Sequence, residues 1–287
     1  MNDNKTNINW YPGHMAKAKR LIKENISLID IVFNVVDSRI PKSSIIPDLN
    51  DLVGNKPVIY IFTKYDLCDK NETDKFINEY KKTKYVLNYD LNKNININEI
   101  TSLCNNILKD KIDSLKAKGI NKNKIKCLVI GVPNAGKSTL INKITGRNSQ
   151  KTGNMPGVTK SLNWIRINDT LELLDSPGVL WPKFSDERAA FNLASTTAIK
   201  EEVIPKDKVA CYILEILYKY YPDILKEKYN VTDIEDFDEV YTTIAKKRGF
   251  IMKGNEPDYD RVTNLVLNDI KQGKVSGITL DRYKDGI

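Results

Sequence analysis

Apolar residues recur along the chain in two patterns that divide it into two parts. Up to about residue 182, short unbroken apolar runs alternate with stretches in which apolar residues recur every three or four positions; beyond it, only the second pattern is found. Alternating strands and helices are typical of an α/β domain with a mostly parallel sheet, which we assign to residues 1–182. A smaller all-α domain is predicted over residues 183–287.

The predicted elements can be placed along the chain. The unbroken runs predict strands at residues 29–36, 57–63, 84–88, 124–131, 163–167 and 170–175. Helical spacing predicts helices at 72–82, 98–118, 137–145, 207–229 and 259–274, and an earlier one whose apolar face holds Met15, Ala18, Ile22, Ile26 and Ile29. In a parallel sheet the ligand lies at the carboxyl ends of the strands, so the loops that follow the strands are the candidate site.

Composition and charge narrow the class of protein. The 287 residues include 45 Lys and Arg against 37 Asp and Glu, a net charge of +8, which is compatible with a polyanionic partner such as nucleic acid. No apolar run approaches the roughly 20 residues of a membrane span, and the amino terminus has no basic and apolar leader. We therefore expect a cytoplasmic protein without membrane contact. The four cysteines have no metal-ligand spacing and are expected to be buried, reduced thiols.

The segment GVPNAGKST, residues 131–139, follows a predicted strand and opens a predicted helix, which is the context of a P-loop. Backbone N–H groups of such a loop surround phosphate oxygens, while Lys137 reaches the β- and γ-phosphates and the hydroxyl of Ser138 binds Mg²⁺. The predicted phosphate-binding residues are Asn134, Ala135, Gly136, Lys137, Ser138 and Thr139.

Two further segments complete the predicted phosphate site. DSPG, residues 175–178, ends another strand; Asp175 is expected beside Mg²⁺ and the Gly178 N–H at the γ-phosphate, where glycine permits close backbone approach. GVTK, residues 157–160, offers Thr159 as the threonine that closes over Mg²⁺ and the γ-phosphate. Ser138 and Thr159 are therefore the predicted Mg²⁺ ligands.

TKYD, residues 63–66, ends a strand and resembles the guanine-specific motif NKxD. In that motif the aspartate, here Asp66, accepts hydrogen bonds from the base, and the stem of the lysine, here Lys64, covers the ring. Thr63 replaces the asparagine, which shortens one polar contact to the base or the P-loop. Asn88 and Tyr89 stand after the next strand, where the outer wall of the base pocket is expected.

The guanine motif precedes the P-loop, the reverse of the order in ordinary GTPases. The same sheet still forms if the domain is circularly permuted, since motif geometry depends on strand ends and not on chain order. The segment at residues 175–178 then ends the GTPase domain and leads directly into the helical domain. Occupancy of the γ-phosphate site can therefore move the helical domain.

These motifs resemble the circularly permuted GTPases, and most closely the ribosome biogenesis GTPase A (YlqF-type) family. The resemblance covers essentially the whole chain in the family's order and spacing. It rests on WYPGHMAKAKR (10–20), DSRIPKSS (37–44), TKYD (63–66), GVPNAGKSTLIN (131–142), KTGNMPGVTK (151–160), LLDSPGVLWPKF (173–184) and KKRGF (246–250).

The resemblance implies a circularly permuted Ras-like P-loop GTPase domain whose GTP hydrolysis is stimulated by the bacterial large ribosomal subunit (50S), and which assists late assembly of that subunit. It implies an RNA-binding helical domain, and we expect a monomer away from the ribosome. It also implies that Asn134 helps to hold K⁺ beside the phosphates; a loop asparagine bonding its own backbone is the alternative. Lys17, Arg20 and Lys23 lie near one face of the first predicted helix, where they suit RNA phosphates or form a solvated face.

The residue after the DSPG glycine is Val179, where Ras-like enzymes have a glutamine that orients the attacking water. Valine has no polar group, so the water must be positioned from elsewhere. His14, the single histidine of the chain, follows a Pro-Gly turn before a helix, and the resemblance implies that it is catalytic. The alternative is a helix-start residue whose ring bonds backbone or lies on rRNA.

Two other functions fit parts of the pattern. A nucleotide-gated RNA-binding module with incidental hydrolysis would share every motif, and a hydrolysis-dead variant that still supports assembly would favour it. A P-loop kinase would need a phosphoryl acceptor site, and the guanine motif at residues 63–66 argues against it.

Overall fold

The computed structural model describes residues 13–47, 49–120, 124–146, 163–180, 186–199 and 203–285. Within them, one six-stranded sheet has the order β3-β2-β1-β4-β6-β5. All neighbouring strands are parallel except β5 and β6. The strands are β1 Ile31–Asp37, β2 Val58–Thr63, β3 Tyr85–Asn88, β4 Ile125–Gly131, β5 Asn163–Arg166 and β6 Leu171–Asp175.

Helices flank the sheet in the first part and make up the second part. Those of the first part are α1 Gly13–Asn25, α2 Leu49–Val53, α3 Lys70–Lys81, α4 Ile97–Ile107, α5 Lys109–Ala117 and α6 Lys137–Thr145. Those of the second are α7 Glu187–Ser195, α8 Lys206–Tyr220, α9 Pro222–Tyr229, α10 Phe237–Arg248 and α11 Tyr259–Lys271. Short 3₁₀ helices lie at Ile26–Leu28 and Tyr283–Asp285.

The predicted fold class is confirmed, and every predicted strand is present. Two predicted helices are each broken in two. The break within 207–229 follows from Pro222, whose ring excludes helical geometry at Tyr221 and which has no N–H to donate. The break within 98–118 lies at Leu108, which leaves the helical region with φ −97° and ψ 7°. The proposed domain boundary at residue 182 lies outside the described residues.

The central strand β1 is buried along its whole length, which explains why its sequence reads as an unbroken apolar run. Met15, Ala18 and Ile22 on α1 pack into the same core. Asn34, in the middle of β1, is fully buried and its amide has no hydrogen-bond partner among the described residues. The four cysteines are free thiols, as predicted, although Cys211 is only half-buried.

The helical part returns to the sheet after its last helix. We call residues 277–281 the C-terminal strap. Its Gly277 N–H donates to the carbonyl of Leu67, directly after the guanine motif, at 2.8 Å, and its Leu280 N–H donates to the carbonyl of Arg39 at 2.8 Å. The strap therefore holds loops that follow β1 and β2 against the helical part. In the described part of the chain, no helix is long and apolar enough to span a membrane.

Candidate nucleotide-binding site

Four adjacent parallel strands bring the predicted motifs to one edge of the sheet. In the order β2, β1, β4, β6, their last residues are Thr63, Asp37, Gly131 and Asp175. The guanine motif and the P-loop are far apart in sequence, but only β1 separates their strands. Reversed motif order therefore leaves the arrangement of a nucleotide pocket intact, as circular permutation requires.

The P-loop connects β4 to α6. Gly136 has φ +94°, which glycine adopts readily, and it precedes the first turn of α6. Ser138 and Thr139 lie in that first turn and are half-buried, while Ala135 is buried. The N–H groups of this turn have no partners within the helix and carry its positive dipole end, so they favour an anion such as a phosphate.

Lys137 is the buried cation of the loop. Its Nζ donates to the carbonyls of Gly131 at 3.1 Å and Val132 at 2.9 Å, so the side chain lies along its own loop. Burial lowers the pKa of Lys137 to about 8; Asp175 opposes this shift and Lys64 adds to it. A phosphate bound at the loop would supply the missing negative charge.

The segment after β6 lies directly on the P-loop. The Val179 N–H donates to the Gly131 carbonyl at 3.1 Å. A Cβ added to Gly178 would lie 2.8 Å from the Cα of Pro133, so only glycine fits there. Asp175 is fully buried, and the Val179 side chain is also buried. The segment after β6 therefore packs so closely on the P-loop that a side chain at residue 178 would collide with the Pro133 backbone.

Oxygen ligands suitable for Mg²⁺ lie at the ends of adjacent strands. Ser138 follows β4 and Asp175 ends β6, and hydroxyl and carboxylate oxygens are ligands that Mg²⁺ prefers. Among the described residues no three His, Cys, Asp or Glu side chains are grouped as a metal site. The residues present therefore fit an ion shared with nucleotide phosphates. The other predicted ligand, Thr159, lies outside the described residues.

Thr63 keeps the contact to the P-loop that its asparagine counterpart would make. Its hydroxyl lies 2.5 Å from the carbonyl of Ala135 and 3.1 Å from that of Val36, and the side chain is fully buried. The expected shortening of a polar contact at this position is therefore not seen on the P-loop side.

Lys64 bridges the guanine motif and the P-loop. It has φ +56°, an uncommon value for a non-glycine residue. Its Nζ donates to the carbonyl of Asn134 at 2.5 Å and to the carboxylate of Asp37 at 2.9 Å. The side chain is thus stretched along the expected base site and fixed at its far end. Asp37 was not among the predicted site residues, although its position at the end of β1 was a signal for it.

Asp66, the predicted base-reading residue, accepts a hydrogen bond from the Nδ2 of Asn92 at 2.8 Å. Asn92 was also missed; it lies in the polar loop after β3, beside the predicted wall residues. Asn88 is exposed at the end of β3, and the Tyr89 hydroxyl donates to Glu99 at 2.9 Å. Asn88 and Tyr89 remain predicted members of the base pocket.

The amide nitrogen of Asn134 bonds the helical part. Its Nδ2 donates to the carbonyl of Thr197 at 2.6 Å and to the Thr197 hydroxyl at 2.8 Å, just after α7. Thr197 has φ +60°, a strained value for a β-branched residue. The P-loop therefore contacts the helical part directly through Asn134.

His14 lies in the first turn of α1, which begins at Gly13. The His14 side chain lies outside the described residues. Its neighbour Met15 is fully buried and anchors the start of the helix to the core.

Comparisons with known proteins agree with this geometry. A sequence profile described as a 50S ribosome-binding GTPase matches residues 126–248. The ribosome biogenesis GTPase A of Priestia megaterium is 42% identical over 277 residues, 96% of each chain, and that of Bacillus cereus is 41% identical over 96% of this chain and 93% of its own. The Thermotoga maritima protein is 28% identical over 97% and 95% of the two chains.

Solved structures give the same result. The crystal structure of GNP-bound YlqF from T. maritima matches with a TM-score of 0.62 at 25% identity, over 93% of this chain and 98% of that one. The sequence relatives match along nearly the full length of the chain. The chain belongs to the ribosome biogenesis GTPase A family of circularly permuted GTPases and is a GTP hydrolase.

Proposed function

We propose that this GTPase assists late assembly of the bacterial large ribosomal subunit. It binds an immature particle in its GTP form and leaves after hydrolysis. The bridge of Lys64 between the guanine motif and the P-loop supports the nucleotide part of the proposal. The names of the relatives, which match over nearly the whole chain, support the ribosomal part.

The nucleotide roles follow from the strand ends. The P-loop, residues Asn134 to Thr139, surrounds the phosphates, and Lys137 neutralises them. The Gly178 N–H contacts the γ-phosphate. Thr63, Lys64 and Asp66 hold the base, with Asn88 and Tyr89 at its outer edge.

A GTPase of this family binds guanine nucleotide, typically with Mg²⁺. We place the ion at Ser138 and Thr159, with Asp175 beside it, where it would neutralise charge on the β- and γ-phosphate oxygens. We further propose that Asn134 helps to hold K⁺ at the same phosphates. The bonds of its Nδ2 to Thr197 fix the orientation of the amide and so favour a defined position for its oxygen.

Water activation has to come from outside the DSPG segment, because Val179 is apolar and buried. We assign this role to His14, brought to the γ-phosphate when rRNA docks on α1. The exposed Lys17, Arg20 and Lys23 on the same helix supply charge for rRNA phosphates. Slow turnover away from the particle follows, because the water is not positioned until docking. We expect the protein to act as a cytoplasmic monomer when it is off the ribosome.

Sedimentation with isolated large-subunit particles tests the proposal. We expect co-sedimentation with a GTP analogue and much weaker co-sedimentation with GDP, both reduced by raised salt because phosphate contacts release counterions. Equal sedimentation in the two nucleotide states would contradict it. If a binding-competent, hydrolysis-dead variant supports full assembly, the protein is instead a nucleotide-gated RNA-binding module.

A further inference from the structure

A buried carboxylate lies between the two nucleotide motifs. Asp37 ends β1, the strand that separates the guanine-motif strand β2 from the P-loop strand β4. The carboxylate is 1% exposed and accepts a hydrogen bond from Lys64 Nζ at 2.9 Å. The same Nζ also bonds the P-loop carbonyl of Asn134. Asp37 therefore holds one side of the link between the base-binding loop and the phosphate-binding loop.

Arg39 fixes the orientation of this carboxylate. Its Nε donates to Asp37 Oδ1 at 3.0 Å, its second guanidinium nitrogen donates to Oδ2 at 2.8 Å, and its backbone N–H donates to Oδ1 at 3.0 Å. The pair is a bidentate Arg–carboxylate bond, the geometry that specifies both carboxylate oxygens. With Lys64, the carboxylate accepts four charge-assisted or backbone bonds and has no freedom to rotate.

Arg39 also contacts the helical part. Its remaining guanidinium nitrogen donates to the carbonyl of Ile270 at 2.7 Å, in the last turn of α11. This carbonyl also accepts a hydrogen bond from the Gly273 N–H at 3.2 Å, and it lies at the negative dipole end of α11, where a buried guanidinium is favourable. The C-terminal strap adds its own bonds to the carbonyls of Arg39 and Leu67.

The charged states of Asp37, Arg39 and Lys64 depend on one another. Burial raises the pKa of Asp37, but Arg39 and Lys64 outweigh burial and hold that pKa well below its usual range. Burial lowers the pKa of Lys64, and Asp37 opposes the shift. Removing the carboxylate therefore leaves a buried Arg39 without its counter-ion and a Lys64 held only by a carbonyl.

We propose that Asp37 and Arg39 are positioning residues for guanine-nucleotide binding. They hold Lys64 across the base site, and through the carbonyl of Ile270 they make nucleotide affinity depend on the docking of the helical part. This inference rests on the nucleotide pocket proposed above. It names two residues, outside the TKYD and P-loop motifs, that couple the pocket to the helical part.

Asp37→Asn and Asp30→Asn form a matched pair of variants. Asp30 precedes the other end of β1, is 3% exposed, and also pairs with a lysine, Lys111, at 2.9 Å. Both changes remove a buried carboxylate from an ion pair, but only Asp37 lies at the carboxyl edge of the sheet. We expect Asp37→Asn to weaken GDP binding at least about tenfold and Asp30→Asn to leave it within about twofold. Titration with a fluorescent GDP, well below the melting temperature of each variant, measures both.

Two further variants, Lys64→Ala and its combination with Asp37→Asn, separate the possible failures. If Lys64→Ala leaves GDP affinity unchanged, the proposed pocket is wrong. If Lys64→Ala weakens binding but Asp37→Asn does not, the positioning role is wrong. In the double variant we expect the two losses of GDP affinity to be strongly non-additive, because both act through the Lys64 side chain. Full additivity would show that Asp37 does not act through Lys64.

Arg39→Lys covers the case in which Asp37→Asn does not fold. Lysine keeps the charge beside Asp37 but has no fork that reaches both the carboxylate and the Ile270 carbonyl. We expect Arg39→Lys to release GDP about threefold faster, or more, than the unchanged protein. Asp281→Asn, which loosens the strap where Asp281 accepts bonds from Ser43, tests the helical coupling. An unchanged GDP release rate in Asp281→Asn and Arg39→Lys would refute that coupling.

Discussion

Lys137 is the residue whose protonation should be visible in nucleotide binding. In the nucleotide-free protein its pKa is about 8 because the group is buried. Bound phosphates raise the pKa, since they favour the charged form. Below pH 8 the lysine is charged in both states and contributes no pH dependence. Above pH 8 binding must take up a proton, so GDP affinity should fall by up to about tenfold per pH unit.

Lys137→Arg provides the control for this pH dependence, since a guanidinium stays charged over the whole range. We expect the variant to bind GDP more weakly but with a flat profile from about pH 7 to about pH 9. Titrations across that range measure the slope. An equal slope in the two proteins would assign the titration to another group.

The folding stability of the nucleotide-free protein should change with pH in the opposite direction to its GDP affinity. The pKa of Lys137 in the folded state lies below the ordinary 10.5, so the unfolded state binds more protons between pH 8 and 10.5, and the free energy of unfolding should rise over that range.

At the scale of elements, the segment after β6 and the P-loop meet as backbone against backbone. A methyl group at residue 178 would lie 2.8 Å from the Cα of Pro133 and 2.9 Å from its nitrogen, and neither atom can swing away as a side chain would. Gly178→Ala should therefore push the segment off the P-loop. We expect GDP binding to be largely kept and GTP-analogue binding to fall at least about tenfold, because in the proposed site the Gly178 N–H contacts the γ-phosphate, which GDP lacks.

Gly146→Ala is the comparison for this variant. It adds a methyl at the end of α6, where no atom of the described part of the chain lies within 4 Å, although φ +63° strains an alanine. It should lower stability without changing the ratio of GTP-analogue to GDP affinity. Competition titrations give that ratio for both variants. A similar ratio in the two would mean that the close approach at Gly178 has no part in sensing the γ-phosphate.

The elements were largely predictable from sequence, but the contacts between them were not. Strand β1 is apolar on both faces because it is central, and α6 begins at the predicted Lys137 because the P-loop fixes its start. Asp37 and Thr197 gave weaker signals. Their roles depend on Lys64 and Asn134, which meet them only after the sheet and the helical part have packed. Such long-range pairing leaves no local pattern in the sequence.

On the scale of the whole molecule, the nucleotide edge is connected to the helical part at several places. Asn134 reaches Thr197, Arg39 reaches Ile270, and the C-terminal strap holds the loop after the guanine motif. Permutation adds the direct chain connection after the DSPG segment. A structural change at the phosphates or the base can therefore be transmitted to the helical part through more than one of these contacts. This arrangement suits the proposed function, in which the affinity for the ribosomal particle changes with the bound nucleotide.

The catalytic role of His14 is a prediction about the whole assembly, because docking has to bring α1 and the nucleotide together. His14→Ala should leave the slow turnover of the free protein within about twofold, and lower the turnover stimulated by large subunits by about a hundredfold or more, the usual effect of losing a general base. Particle binding should be kept, since His14→Ala leaves the lysine and arginine side chains of α1 in place for rRNA phosphates.

Lys17→Ala, at an exposed position of α1 one turn after His14, should give the opposite result. It should weaken particle binding and reduce the salt dependence of that binding. At saturating particle concentration its stimulated turnover should equal that of the unchanged protein. Steady-state turnover against particle concentration separates the two variants, because one changes the plateau and the other the midpoint. If His14→Ala reaches the wild-type plateau, the water is activated by another group.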